Sequence, residues 1–224
     1  MRSNLRIIVA IACLALPVLA CQAVMGGGGS MPTATPSSEL LLTDDFSTSK
    51  WGTGTNADRS IEYANNALQM IVYKKNWFVW STPNDQSYQN IHIETTVTNN
   101  GTDETTAFGI ICNKQSGNSS FYYAGSTPEG EYAIVKSVDG QSDVFLTGDN
   151  QWAASDLIKK DASSYRVGAD CGNGTLTLYI DGQQIASVSD SSYTSGGVAL
   201  FTWSGENATK TDVSFDDFLM SQLP

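Results

Sequence analysis

Leu176-Thr177-Leu178-Tyr179-Ile180-Asp181-Gly182 decides how this chain folds. Leu176, Leu178 and Ile180 fall on one side of an extended strand and Thr177 and Tyr179 on the other, because successive strand side chains point to opposite faces. Asp181-Gly182 then breaks the strand with residue types that tolerate positive φ, as a tight hairpin turn requires. Upstream, Asn173-Gly174 is a second such turn. Before it, Tyr165–Cys171 repeats the alternation, with Tyr165, Val167 and Ala169 in phase.

The same texture runs from Leu40 to the end. Short period-two runs are separated by Gly, Asn, Asp, Ser and Pro, and no stretch sustains a 3.6-residue period. The runs predict strands at Leu40–Phe46, Ser60–Ala64, Ala67–Tyr73, Trp77–Ser81, Tyr88–Asn99, Thr105–Asn113 and Ser119–Ser126. They continue at Glu131–Val138, Asp143–Leu146, Tyr165–Cys171, Thr175–Asp181, Gln184–Ser189, Gly197–Trp203 and Thr211–Met220. Asn65-Asn66 is a further tight turn, and Ala153–Lys160 is the one expected helical turn. Many strands without intervening helices specify an all-β, antiparallel double sheet. Ile91, Ile93 and Val97 face inward, as do Phe108 and Ile110, and Val198 and Leu200. Cys112 is in phase with Phe108 and Ile110, and Cys171 with Tyr165, Val167 and Ala169.

The N-terminus is of another kind. Arg2 and Arg6 give a positive start to a nearly apolar run from Leu5 to Leu19, which is too short to span a bilayer and is followed by a polar stretch. Val18-Leu19-Ala20-Cys21 resembles the bacterial lipobox. The resemblance implies that residues 1–20 are a signal peptide, that Cys21 carries a diacylglycerol, and that the protein is anchored outside the cytoplasm on the bacterial cell envelope. Residues 21–39 form the lipidated cysteine and a flexible tether rich in Gly, Ser, Pro and Thr, and 40–224 form one domain. With Cys13 in the signal and Cys21 lipidated, Cys112 and Cys171 remain as an even pair in an exported protein. They are expected to form a disulfide worth roughly 3–4 kcal/mol.

Charge narrows the partners. The chain has 12 basic and 23 acidic residues, a net charge of −11; loss of Arg2 and Arg6 with the signal takes this to −13. That sign excludes nucleic acid and anionic membrane surfaces as electrostatic partners, so the membrane is reached through the lipid on Cys21.

Several spaced elements together resemble a known superfamily: Asp44-Asp45-Phe46 with Trp51, Gly109-Ile110-Ile111-Cys112, Phe121-Tyr122-Tyr123, Pro128-Glu129-Gly130, Leu176 to Gly182, and Val213-Ser214-Phe215-Asp216-Asp217-Phe218. The order resembles the concanavalin A-like lectin/glucanase superfamily, and within it the laminin-G-like and 3-keto-disaccharide hydrolase-type domains of bacterial lipoproteins. The resemblance covers about Leu40 to Leu223 and implies a two-sheet jelly-roll sandwich. It leaves function open, because the superfamily holds lectins, enzymes and modules without activity.

The chemistry-bearing residues narrow that choice. The paired-carboxylate pattern of the superfamily's glucanases is absent; the nearest approach, His92-Ile93-Glu94, offers one carboxylate and one imidazole on a strand face. The single histidine and the lack of a G-x-S-x-G element argue against a serine nucleophile, so no catalytic residue is assigned. Sugar binding needs flat aromatic faces beside polar groups. Trp77, Trp80, Tyr122, Phe201 and Trp203, joined by Arg166 and Tyr179 off the core phase, are the candidate ligand face. No cofactor is required. A structural calcium is the one candidate ion, held by Asp44, Asp45, Asp216 and Asp217 if the terminal strands pair, with a bulge expected at Asp216-Asp217 because Phe215 and Phe218 both read as buried. The sequence thus predicts a lipid-anchored sandwich that binds carbohydrate or another surface polymer without catalysis. A 3-keto-glycoside hydrolase-like enzyme and a protein-interaction or adhesion module are the alternatives.

Overall fold

The computed structural model describes residues 38–117, 119–206 and 210–224. Cys21, the expected signal peptide and most of the expected tether lie outside the described residues. Among the described residues there are sixteen strands: β1 Leu40–Asp44, β2 Gly54–Thr55, β3 Arg59–Ala64, β4 Ala67–Val72, β5 Phe78–Ser81, β6 Ile91–Asn99, β7 Ala107–Lys114 and β8 Phe121–Ser126. They continue as β9 Glu131–Ser137, β10 Val144–Phe145, β11 Ala153–Ala154, β12 Tyr165–Gly172, β13 Thr175–Ile180, β14 Gln183–Ser189, β15 Gly197–Trp203 and β16 Thr211–Gln222.

The strands form two antiparallel sheets. One has nine strands in the order β14-β13-β12-β6-β16-β4-β3-β2, with β1 also paired to β16; the other has seven in the order β10-β9-β8-β7-β15-β5, with β11 paired to β9. Tight turns set the register. Asn65-Asn66, Asn173-Gly174 and Asp181-Gly182 all take positive φ, the backbone that lets a two-residue hairpin follow the strand twist.

The inward phases fill one core. Ile91, Ile93, Val97, Val167, Leu176, Leu178 and Ile180 from the nine-stranded sheet meet Phe108, Ile110, Val198 and Leu200 from the seven-stranded sheet, all at most 3% exposed. Cys112 on β7 and Cys171 on β12 are bonded across that core, Cα to Cα 6.5 Å, so the disulfide ties one sheet to the other. The terminal strands do pair, Asp44 opposite Phe218. The ladder of β16 against β6 slips between Asp216 and Leu219, with Asp217 at φ 48°, which lets both Phe215 and Phe218 turn inward.

The expected helical turn at Ala153–Lys160 is a correction. Ala153 and Ala154 instead pair with Tyr132 and Glu131 at the β9 edge. Ser155 then donates to the Gly130 carbonyl, and Ile158 plugs the main core. A free sheet edge and a core vacancy outweigh the helical bias of so short a segment.

Candidate functional site

The outward face of the seven-stranded sheet carries a second apolar cluster, separate from the sandwich core. Its origin is the residue size along the cross-strand rows. Trp80, Phe201, Gly109, Gly125 and Ala133 follow one another from β5 to β9. The row is bulky at one end and nearly bare at the other, so the Phe201 ring lies down over the glycines. A Cβ on Gly125 would fall 2.9 Å from that ring and 2.2 Å from the Phe108 carbonyl oxygen. Phe78 stacks on Phe201, ring centroids 4.8 Å apart, and on Phe121 at 6.1 Å. Tyr123 meets Phe201 edge-on at 5.3 Å, an arrangement the aromatic quadrupole favours.

Trp80, Trp203, Trp152 and Phe145 stand around these rings and leave a trough of about 410 Å³ between them. Phe145 and Trp152 come from the excursion that runs along the β9 edge between β9 and β12. Polar groups are few: Ser119, Ser137 and Asp143. The Tyr123 hydroxyl donates to Asp143 at 2.9 Å. Burial first, and then the Asp143 charge, push that phenol well above its ordinary range, so it stays a donor. A trough of this size, mostly aromatic with a few placed polar groups, is built like a small-ligand or sugar site.

The outward face of the nine-stranded sheet is polar. Arg166 Nη2 and Nε donate to Glu94 Oε2 at 3.1 and 3.2 Å. Glu94 Oε1 faces His92 Nε2 at 3.2 Å, His92 Nδ1 faces Asp170 Oδ1 at 2.6 Å, and the Tyr179 hydroxyl donates to Asp170 Oδ2 at 2.8 Å. Bonding to Asp170, helped by Glu94 and opposed by burial, raises the His92 pKa above its usual value. Burial and the bond to Asp170 push Tyr179 up to about 12. Each carboxylate oxygen in this row already has a donor.

Comparison with known proteins finds no matching family model and no matching curated protein. Solved structures do match. The chain is similar to carbohydrate binding module CBM66 from Bacillus subtilis, with TM-score 0.60 and 14% identity over 79% of this chain and 98% of that one. It is similar to a Bacillus licheniformis β-glucanase, with TM-score 0.55 and 9% identity over 83% and 99% of the two chains. It also resembles the κ-carrageenase of Pseudoalteromonas carrageenovora, with TM-score 0.56 and 11% identity over 86% and 98%. The fold is a concanavalin A-like jelly roll. At these identities the likeness is one of fold.

On this jelly roll the expected ligand residues separate. Trp80, Phe201 and Trp203 come together in the trough. Trp77 does not: it precedes β5, is 37% exposed, and lies under the Lys74 ammonium at 3.6 Å. Tyr122 is a correction. It faces the core at 1% exposure while its neighbours Phe121 and Tyr123 face the trough, and its hydroxyl donates to Asp190. Arg166 and Tyr179 are off the core phase as expected, but on the other sheet, across the sandwich from the tryptophans.

Of the expected calcium residues, Asp44, Asp45 and Asp217 border one shallow depression, but their donors and spacing do not fit a calcium ion. Asp44 is buried, accepting from Phe46 N and Trp51 Nε1. Asp45 accepts from Ser47, and Asp216 from Asp217 N. Lys50 and Arg166 border the same shallow depression as Asp44, Asp45 and Asp217; Lys50 Nζ pairs with Asp44 at 3.7 Å, and Arg166 Nη1 donates to the Asp217 backbone carbonyl. Among the described residues, no group of three or more His, Cys, Asp or Glu side chains is placed to hold a metal.

Phe78, Phe121, Tyr123, Phe145, Trp152 and Asp143 belong to the trough without having been picked out as ligand residues. For Phe121 and Tyr123 the register decides. Cys112 is core-facing and Tyr122 is its partner in the β7–β8 ladder, so Tyr122 faces the core and its two neighbours face outward. Trp152 lies off any strand, and no periodicity points to it.

Proposed function

We propose that this protein is a non-catalytic carbohydrate-binding jelly roll, held outside the cytoplasm on the cell envelope by a lipid on Cys21. The observation that carries the binding reading is the gathering of eight aromatic side chains around one trough on an outward sheet face. Flat rings match the C–H faces of a pyranose, and the indole N–H groups, Ser119, Ser137 and Asp143 offer partners for hydroxyls. The fold is shared with a carbohydrate binding module and with enzymes named for glycan substrates, which supports the same reading. The absence of catalysis rests on the carboxylates. Acid–base cleavage of a glycosidic bond needs two flanking the bond, and among the described residues Asp143 is the only carboxylate lining the trough.

A glycan array followed by titration calorimetry tests the binding reading. Trp203→Ala and Trp152→Ala should each weaken the captured polysaccharide by about tenfold, the loss of one stacking contact, with the circular dichroism spectrum unchanged. A folded protein that captures no polysaccharide refutes it. For the anchor, Cys21→Ser should move the protein from the membrane to the soluble fraction, and continued membrane retention would remove Cys21 from the account.

A further inference from the structure

Trp80 borders a second cavity as well as the trough. This cleft, also about 410 Å³, lies at the end of the seven-stranded sheet, between the segment after β5, the turn after β7 and the segment leading into β15. Just after β7, Ser116 and Gly117 border the cleft and Ser119 borders the trough. The two therefore lie side by side. Their chemistries are complementary, the trough mostly aromatic and the cleft mostly hydroxyl, amide and charged groups.

The cleft is built before any ligand arrives. Tyr88 and Gly196 exchange backbone hydrogen bonds at 2.8 and 2.9 Å, tying the segment after β5 to the approach to β15. Asn84 donates to the Tyr88 hydroxyl at 2.9 Å and accepts from Gln86 N. A Cβ on Gly196 would sit 2.4 Å from the Asn113 backbone, so the wall behind is closely packed. On this held frame, the side chains of Thr82, Asp85, Ser87 and Lys114 make no hydrogen bond or ion pair with the described residues. Preorganised, unpaired polar groups in a concavity are the groups a ligand would satisfy.

Resting on the carbohydrate reading of the trough, we infer that the two cavities form one continuous site for an uncharged polysaccharide chain, which crosses Trp80 from the aromatic trough into the polar cleft. A single sugar ring would leave one cavity idle. An acyl chain would suit the trough but not the cleft. A glycan chain repeats both features, C–H faces for the rings and hydroxyls for the polar groups. Asp85 and Lys114 carry opposite charges, the trough adds only Asp143, and the chain is acidic throughout. Nothing there offers the surplus of cations that sulfate or uronate groups need.

Calorimetry with gluco-, xylo- and fructo-oligosaccharides of increasing length tests this, with sulfated and uronate polysaccharides as the charged arm. Affinity for the captured series should rise by roughly tenfold as the chain grows past the trough. The cleft variant Asp85→Ala/Lys114→Ala should abolish that rise and leave the shortest ligands unaffected, whereas Trp80→Ala should weaken short and long chains alike. An affinity that does not grow with length, or a cleft variant that keeps the full rise, overturns the continuous site while the trough stands. Tighter binding of the charged glycans overturns the ligand class. Failure of every oligosaccharide to bind would instead bring down the carbohydrate reading itself.

Discussion

The two outward faces of the sandwich use their side chains in opposite ways. On the nine-stranded sheet, Arg166, Glu94, His92, Asp170 and Tyr179 satisfy one another in a line across β6, β12 and β13. On the seven-stranded sheet the rings pack sideways, yet the indole N–H groups of Trp80, Trp152 and Trp203 have no acceptor among the described residues. A self-satisfied polar row stabilises its own sheet, and a ligand would have to break charged hydrogen bonds to use it. A concave aromatic face with unused donors keeps its contacts for something else. The lesson is that the richest collection of titratable groups need not be the binding site.

The disulfide is the element both faces share, and its loss should have the largest effect. Cys112→Ala/Cys171→Ala should cost roughly 3–4 kcal/mol in denaturant unfolding, and hydrogen exchange should show both sheets loosening together. Loosening confined to one sheet would mean that the faces are independent units.

Next comes a contrast between glycines. Gly125→Val forces atoms against the Phe108 carbonyl and the Phe201 ring and should cost about 3 kcal/mol, with the trough lost. On the other face a Cβ at Gly168 has no neighbour closer than 3.3 Å: Tyr179 Cβ at 3.3 Å, Glu94 Cγ at 3.5 Å and the Ile93 carbonyl oxygen at 3.6 Å. Gly168→Ala should therefore cost less than about 1 kcal/mol. Equal losses in thermal melts would remove the claimed difference in packing.

A smaller effect separates stability from binding. Glu94→Ala strips Arg166 and His92 of a shared partner and should cost about 1 kcal/mol, since the row is partly solvated, while glycan affinity holds. If Glu94→Ala abolished binding, the polar face would have to be drawn into the site.

The smallest effect is a slope with pH. The His92 pKa is raised in the folded protein, so its contribution is complete below the ordinary value of about 6.5. It is lost as pH climbs through the raised value. Unfolding free energy should fall over that window in the wild type and not in His92→Gln, with trough affinity flat throughout. A wild-type profile as level as the variant's would show that the His92 bridges contribute nothing to folding.

Much of this was legible in the residues. The alternation assigned the core phases of Ile91, Phe108, Val167, Leu178 and Leu200, and it placed Phe201 and Trp203 on an outward face. The cysteine phases led to the disulfide, and the spacing of Phe215 and Phe218 led to the bulge. The errors share one cause. Periodicity says which side of its own strand a residue occupies, but not which sheet the strand joins. Arg166 and Tyr179 were therefore grouped with tryptophans that lie across the sandwich. Tyr122 was misread because its strand is buried on both faces, so polarity no longer distinguishes inside from outside. The carboxylates of Asp44 and Asp216 looked like ion ligands until the backbone donors of both, and the Lys50 ammonium beside Asp44, were in place.

By itself the sequence determined strands, turns, the all-β class and the cysteine pair, because these rest on local geometry that period, turn residues and parity express directly. The tertiary structure alone decided which outward face collects rings and which collects charges. That choice depends on strand order and on register between segments far apart in the chain, where Gly109 and Gly125 meet beneath Phe201 and Trp152 arrives from a loop. The trough is a property of how the strands are laid side by side, and no single strand contains it.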